Sequence, residues 1–279
     1  MLLFQSIPRA KRRRLAERFL EVTKERDGEP DLCTRRLKRR AENRMRRGMR
    51  PMFTGVVPHE EYVAARRAGS PCELAGFGRF ALWLAALAGV NQAEDFGVRL
   101  FLARRKSDNP EDVMFYIELE ELEHGALIAD AAGACGVSLE RTDPRGFMRF
   151  FLMLISLMPA FVRNVLVFMA EIVGVEFFLV LREEGERQLA AHPGARDWVF
   201  TNLTEILVDE VGHVLYLKTQ LNWLQLVVVR LLFKRLVPHL LRPYPATVAL
   251  FGEDVLIRRI LAFDPDKLPE DVRSRSFSF

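Results

Sequence analysis

The chain has 279 residues, of which 49% are apolar and 28% charged, so it is long enough to bury a sizeable core and too apolar to be a disordered protein. Its three cysteines, Cys33, Cys72 and Cys135, form neither a CxxC pair nor a disulfide framework, and no long apolar run follows Met1-Leu2-Leu3-Phe4; together these predict a reducing, cytoplasmic setting. The net charge of +4 conceals an asymmetry: residues 1–50 hold 17 Lys/Arg against 7 Asp/Glu, and the remainder holds 24 against 30.

Residues 1–50, with runs such as Lys11-Arg12-Arg13-Arg14 and Arg35-Arg36-Leu37-Lys38-Arg39-Arg40, read as a basic, partly helical, solvated arm. Such an arm attracts an acidic carrier protein or an anionic membrane surface, with nucleic acid ranked below these. Residues 51–73 contain Pro51, Gly55, Pro58, Gly69 and Pro71 and read as a linker with one short helix.

From about Glu73 the apolar residues recur at three- and four-residue spacing, and residues 74–236 read as an all-α bundle. The spacing predicts a helix over 74–105, softened near Gly89, and Arg104-Arg105-Lys106 marks its end. Ser107-Asp108-Asn109-Pro110 then caps a second helix running to about Ala132. Asp143-Pro144 opens a third that ends at Leu157, because Pro159 must interrupt it, and a fourth runs from Ala160 to about Leu189. His192-Pro193-Gly194 ends that one; Asp197 caps a fifth, read to about Leu236 before Pro238. Residues 237–279 form a C-terminal extension with a short helix and an irregular tail. No segment reads as a membrane span: 160–181 carries Arg163, Glu171 and Glu176, and 221–233 is too short.

Four of these helices place an acid inside an apolar stripe. Glu94 shares a face with Leu87, Val90, Val98 and Phe101, and a carboxylate buried there needs a partner. Glu121 and His124 stand one turn apart beside Ile117 and Ile128, and Glu210 and His213 repeat that pair beside Ile206, Leu207 and Leu217. The third acid is Glu176, with Glu171 as its rival. One Glu-x-x-His means little. Two of them, each on an apolar helix and each preceded by another such glutamate, offer the anionic oxygens that two adjacent ions need, with imidazoles completing each sphere. Glu205 and Asp209 are candidates to hydrogen-bond the imidazoles, and Tyr116 and Tyr216 stand near the two motifs.

This set resembles the ferritin-like di-iron carboxylate superfamily, which includes ferritins, rubrerythrins, acyl-carrier desaturases, aldehyde-deformylating oxygenases and arylamine oxygenases. The resemblance covers about residues 74–232. It implies a four-helix bundle with additional N- and C-terminal helices, holding two Fe ions, with Mn or a mixed Fe/Mn pair as variants. Glu121 and Glu210 would bridge, Glu94 and Glu176 would bind terminally or semi-bridge, and His124 and His213 would bind terminally. It further implies O2-dependent oxidation, by an oxygenase or desaturase, of an apolar or acyl-type substrate, with electrons from a separate donor. Rubrerythrin-like peroxidase or iron oxidase chemistry, and a non-catalytic metal-binding bundle, are the alternatives. Two departures narrow the choice: there is no rubredoxin-like Cys pair, and Ile206 stands where an arylamine oxygenase would supply a further histidine.

The chain has 21 Phe beside 4 Tyr and 3 Trp, and the Phe/Met-rich stretch 147–169 reads either as core, as a homodimer interface or as the lining of an apolar tunnel toward the acids. The segment 222–241, with Trp223, Arg230, Lys234 and Arg235 among apolar residues, either packs on the bundle or lies at a membrane surface as a peripheral element.

Overall fold

The computed structural model describes residues 2–27, 59–103, 113–139, 143–144 and 146–277. Among them there are helices and turns and no strand. The α-helices are α1 (Arg9–Asp27), α2 (His59–Arg67), α3 (Arg79–Leu102), α4 (Val113–Ala134), α5 (Gly146–Leu157), α6 (Ala160–Gln188), α7 (Pro193–Gln220), α8 (Trp223–Leu241), α9 (Pro245–Phe251), α10 (Glu253–Leu261) and α11 (Glu270–Arg273). The signals at Arg104-Arg105-Lys106 and Ser107-Asp108-Asn109-Pro110, and most of the basic arm beyond Asp27, lie outside the described residues.

The core is a ring of four helices in which α3 packs on α4, α4 on α7, α7 on α6 and α6 on α3. Each neighbouring pair runs antiparallel. On α4 and α7, Asn202 reaches Leu127, Asp209 reaches His124 and His213 reaches Glu120, so the two helices climb in opposite directions. On α3 and α6, Arg79 meets Glu184 and the indole of buried Trp83 donates to the carbonyl of Leu181 at 2.8 Å. The turn Leu189–His192 closes α6 and α7 as a hairpin. The diagonal step from α4 to α6 is made by the crossover that contains α5.

Four boundaries differ from the sequence-based expectation. α3 runs through Gly89 without a break and begins at Arg79, after a single 3₁₀ turn at Pro71–Leu74. α7 begins at Pro193, with Asp197 inside its first turns, since proline suits a first helical position where no amide donor is needed. The helix expected to continue to Leu236 stops at Gln220 and is restarted by a capping box. There the Asn222 side chain accepts from the Gln225 amide and the Gln225 side chain accepts from the Asn222 amide. Pro238 then lies inside α8, near its end, where it removes a single helical hydrogen bond.

The outer elements cover this ring. The first helix of the basic arm is not wholly solvated: Phe19 of α1 is buried against Tyr216 and Phe277, and Gly212 of α7 leaves the space its ring occupies. α9 packs across α3, and α10 packs on α6 and α8. α6 is long and apolar enough to cross a membrane, contrary to the sequence reading, yet 67% of its most apolar window is buried inside the protein. Its apolarity serves the core.

Candidate metal centre

α4 and α7 face each other and carry the same pattern, an acid followed by Glu-x-x-His: Glu120-Glu121-Leu122-Glu123-His124 and Asp209-Glu210-Val211-Gly212-His213. Three residues of helix put glutamate and histidine on one face, here turned to the middle of the ring. α3 brings Glu94 and α6 brings Glu171. The side chains form two groups, Glu94, Glu121, His124 and Glu210, and Glu121, Glu171, Glu210 and His213, in each of which the ligand atoms all lie within 4.8 Å of one another. Glu121 and Glu210 belong to both. The cluster can hold metal ions.

Both imidazoles are fully buried, and each uses its two nitrogens differently. His124 Nε2 lies 3.3 Å from Asp209 on the opposite helix, and His213 Nε2 lies 2.7 Å from Glu120 on the other. The acid preceding each motif thus holds the histidine of the other motif. That arrangement leaves the Nδ1 atoms facing the shared carboxylates, 3.1 Å from Glu210 and 3.5 Å from Glu121 for His124, and 2.9 Å from Glu121 for His213. Neither Nδ1 forms a hydrogen bond, and neither do Glu94 Oε2 and Glu121 Oε1. Buried polar atoms left in this way point to a partner of another kind. Atoms sharing an ion at bonds of about 2.1 Å sit roughly 3 Å apart in adjacent positions, which fits these separations.

The electrostatics favour the same partner. Burial, and then the charges of Glu121 and Glu210, push the Glu94 carboxyl well above its usual range, and burial with Glu210 and Glu121 does the same to Glu171. Burial also opposes charge on Glu121, but the facing His124 and His213 hold it down at about 2. The imidazoles resist the same desolvation: Glu121 and Asp209 raise His124, and Glu120 and Glu121 raise His213, well above the ordinary value. Without a cation, protons must balance the cluster.

Six carboxylates, those of Glu94, Glu120, Glu121, Glu171, Asp209 and Glu210, surround two imidazoles. Gly174, one turn after Glu171, clears the space: a Cβ there would lie 3.3 Å from Glu210 Oε2.

Glu176, favoured by the sequence pattern, is not brought to the cluster. Its carboxylate accepts from Arg259 Nε of α10 at 3.2 Å, and Glu171 occupies the α6 position facing Glu210. Glu205 is likewise elsewhere, paired with Arg275 at 2.6 Å, whereas Asp209 reaches His124. Tyr216 packs on Phe19, and the Tyr116 side chain lies outside the described residues. Sequence reasoning gave Glu120 no specific partner; the signal available was an acid immediately before both Glu-x-x-His pairs. It also missed Tyr244, which stacks edge-on with Phe177 at 4.8 Å and whose phenol is pushed up by burial and then by the charge of Glu94.

A cavity of about 590 Å³ reaches the cluster, with Glu94, Glu121, Glu171 and Glu210 in its wall. Apart from them the lining is mostly apolar, including Val98, Ile117, Met148, Leu152, Val173 and Phe177. Its lining also carries Glu118, Ser156 and His239, and, about two or more helical turns along α6 and α7 from the cluster, Arg163, Asn164 and Gln220. No protein-family model, no curated protein and no solved structure matches the chain.

Proposed function

We propose that the protein is a non-haem di-iron oxidoreductase of the ferritin-like kind, an oxygenase or desaturase acting on an apolar or acyl-type substrate. The observation that carries this reading is the cavity: a mostly apolar space of about 590 Å³ ends on four carboxylates of the cluster. Glu94 and His124 would hold one ion, Glu171 and His213 the other, and Glu121 and Glu210 would be shared. Two such irons, or manganese in the same donor set, would supply the redox chemistry for O2-dependent oxidation of an unactivated C–H bond.

The chain's own residues do the remaining work. With metal bound at Nδ1, each Nε2–H would donate to Asp209 or Glu120, which would orient the imidazole with its Nδ1 lone pair toward the ligand cluster. The apolar wall excludes water and gives a hydrocarbon chain its place, while Arg163, Asn164 and Gln220, away from the cluster, suit a polar or anionic head group. Electrons come from a separate donor protein.

The reading is tested by supplying the iron-loaded protein with a reductant, O2 and a fatty acid probe. Expected are O2 uptake that depends on the probe and an oxidised product, both abolished in His124→Ala with His213→Ala. Turnover of hydrogen peroxide that ignores the probe would contradict it and favour a rubrerythrin-like peroxidase.

A further inference from the structure

Between Pro144 and Ala170, and again between Val211 and Gly252, the chain contains no Asp or Glu. These stretches supply α5, the start of α6 and α8, and here large apolar side chains point outward. Phe150 is 62% exposed and Leu157 67%, with Phe161 beside them at the α5–α6 turn; on α8, Trp223 is 66% and Leu231 68% exposed. α8 has two apolar stripes. Leu226, Val229, Phe233 and Val237 are buried against the protein, whereas Trp223, Val227 and Leu231, at four-residue spacing, are not. Arg230, Lys234 and Arg235 stand exposed beside the second stripe, and Arg149 is exposed on α5.

These parts are one surface, because Gln225 Nε2 donates to the Phe161 carbonyl at 2.8 Å and pins the start of α8 against the start of α6. The cavity runs close to these parts. Arg163, two residues from Phe161, and Gln220, three residues from Trp223, line it. Arg163 lies eight residues before Glu171, about 12 Å along the helix.

We propose that this face docks on an anionic phospholipid bilayer, lying in the headgroup region. Apolar side chains interleaved with Arg and Lys, and no acid, match an interfacial helix pair. Scattered exposed apolar residues are ordinary, but a contiguous patch on adjoining helices needs a cover. A second copy related by a two-fold axis is a poor one: it would set Arg230, Lys234 and Arg235 near their own equivalents, with no acid on the face to receive them. Nor does α8 cross a bilayer, since one of its two stripes is committed to the protein. The proposal needs only the folded chain and stands apart from the metal chemistry.

The test uses the full chain with vesicles of phosphatidylcholine and of phosphatidylcholine mixed with phosphatidylglycerol. Sedimentation with the mixed vesicles only is expected, together with a blue shift of tryptophan emission that disappears in Trp223→Phe. Of the other two tryptophans Trp83 is buried and Trp198 half-buried, so it is the loss of the shift in Trp223→Phe that assigns it to this face. Leu231→Glu, and separately Lys234→Glu with Arg235→Glu, should each weaken binding about tenfold or more while leaving the thermal melt in place. Vesicle binding that neither variant weakens would assign it to the basic N-terminal arm and overturn the proposal. So would an absence of vesicle binding, including one accompanied by a dimer that Leu231→Glu dissociates.

Discussion

At the scale of single residues, the choice between Glu171 and Glu176 was a question of register, which residue type alone does not answer. Both are glutamates on an apolar helix. If α7 began at Asp197, the centre of the α6–α7 hairpin would fall near residue 193, and Glu176 would stand opposite Glu210. Because it begins at Pro193, with the turn at Leu189–His192, the centre falls between Ala190 and Ala191 and sets Glu171 opposite Glu210. A cap misplaced by one turn of helix thus moves the ligand by five residues. Glu171→Ala should lower bound iron from two ions per chain toward one. Glu176→Gln should leave metal content unchanged and cost at most about 1 kcal/mol of stability through its partly exposed Arg259 partner. Metal analysis and denaturant melts separate the two.

The same side chains fix the pH response. His124 and His213 have raised pKa values, as do Glu94 and Glu171, so without metal each contributes stability that is full below its unfolded pKa and is lost as pH rises through the folded one. The depressed Glu121 works oppositely, but its window lies between its folded value of about 2 and the ordinary carboxylate range. Between about pH 5 and 8 the metal-free protein should therefore lose thermal stability as pH rises. Metal binding, which must displace those protons, should stabilise more strongly over the same range. Melting curves with and without ferrous ion across that range check it; a metal stabilisation that shrinks toward pH 8 would count against the ligand assignment.

At the scale of elements, the positions of the helices were legible because their apolar spacing is regular and Pro159 can only interrupt. The break at Leu221-Asn222 was not, because apolar residues continue across it and the capping box depends on a single Asn and Gln pair. Register between helices is set by packing that periodicity does not carry. Gly185 of α6 is the clearest instance: a Cβ there would meet Trp83 Cζ2 at 2.8 Å, and that indole is held by its bond to Leu181. Gly185→Ala should cost about 1–3 kcal/mol by overpacking, read as a lower melting temperature of the metal-free protein. Ser substituted at exposed Gly194, where a Cβ meets nothing, should be close to neutral.

For the whole molecule, the sequence separated a basic N-terminus from an acidic body, and the acid-free stretches within that body carry most of its exposed large apolar side chains. Three of the four core acids and the two histidines were visible as a pattern, with Glu171 only as the rival of Glu176, because metal ligation demands particular residues at helical spacing. The apolar tunnel was one of three readings of residues 147–169, several of which line the cavity, whereas the partner of Glu120 and the place of Tyr244 were not legible, since each arises from helices meeting across the ring. What the whole amounts to is two groups of candidate metal ligands that share Glu121 and Glu210, beside a mostly apolar cavity.

The most direct measurement of that claim is anomalous diffraction at the iron edge from crystals grown anaerobically with ferrous ion. Two peaks are predicted, about 3.5–4 Å apart, with Glu121 and Glu210 spanning both and Nδ1 of His124 and His213 on one each. A single peak, or iron bound beside Glu176 and away from the two histidines, would contradict the account.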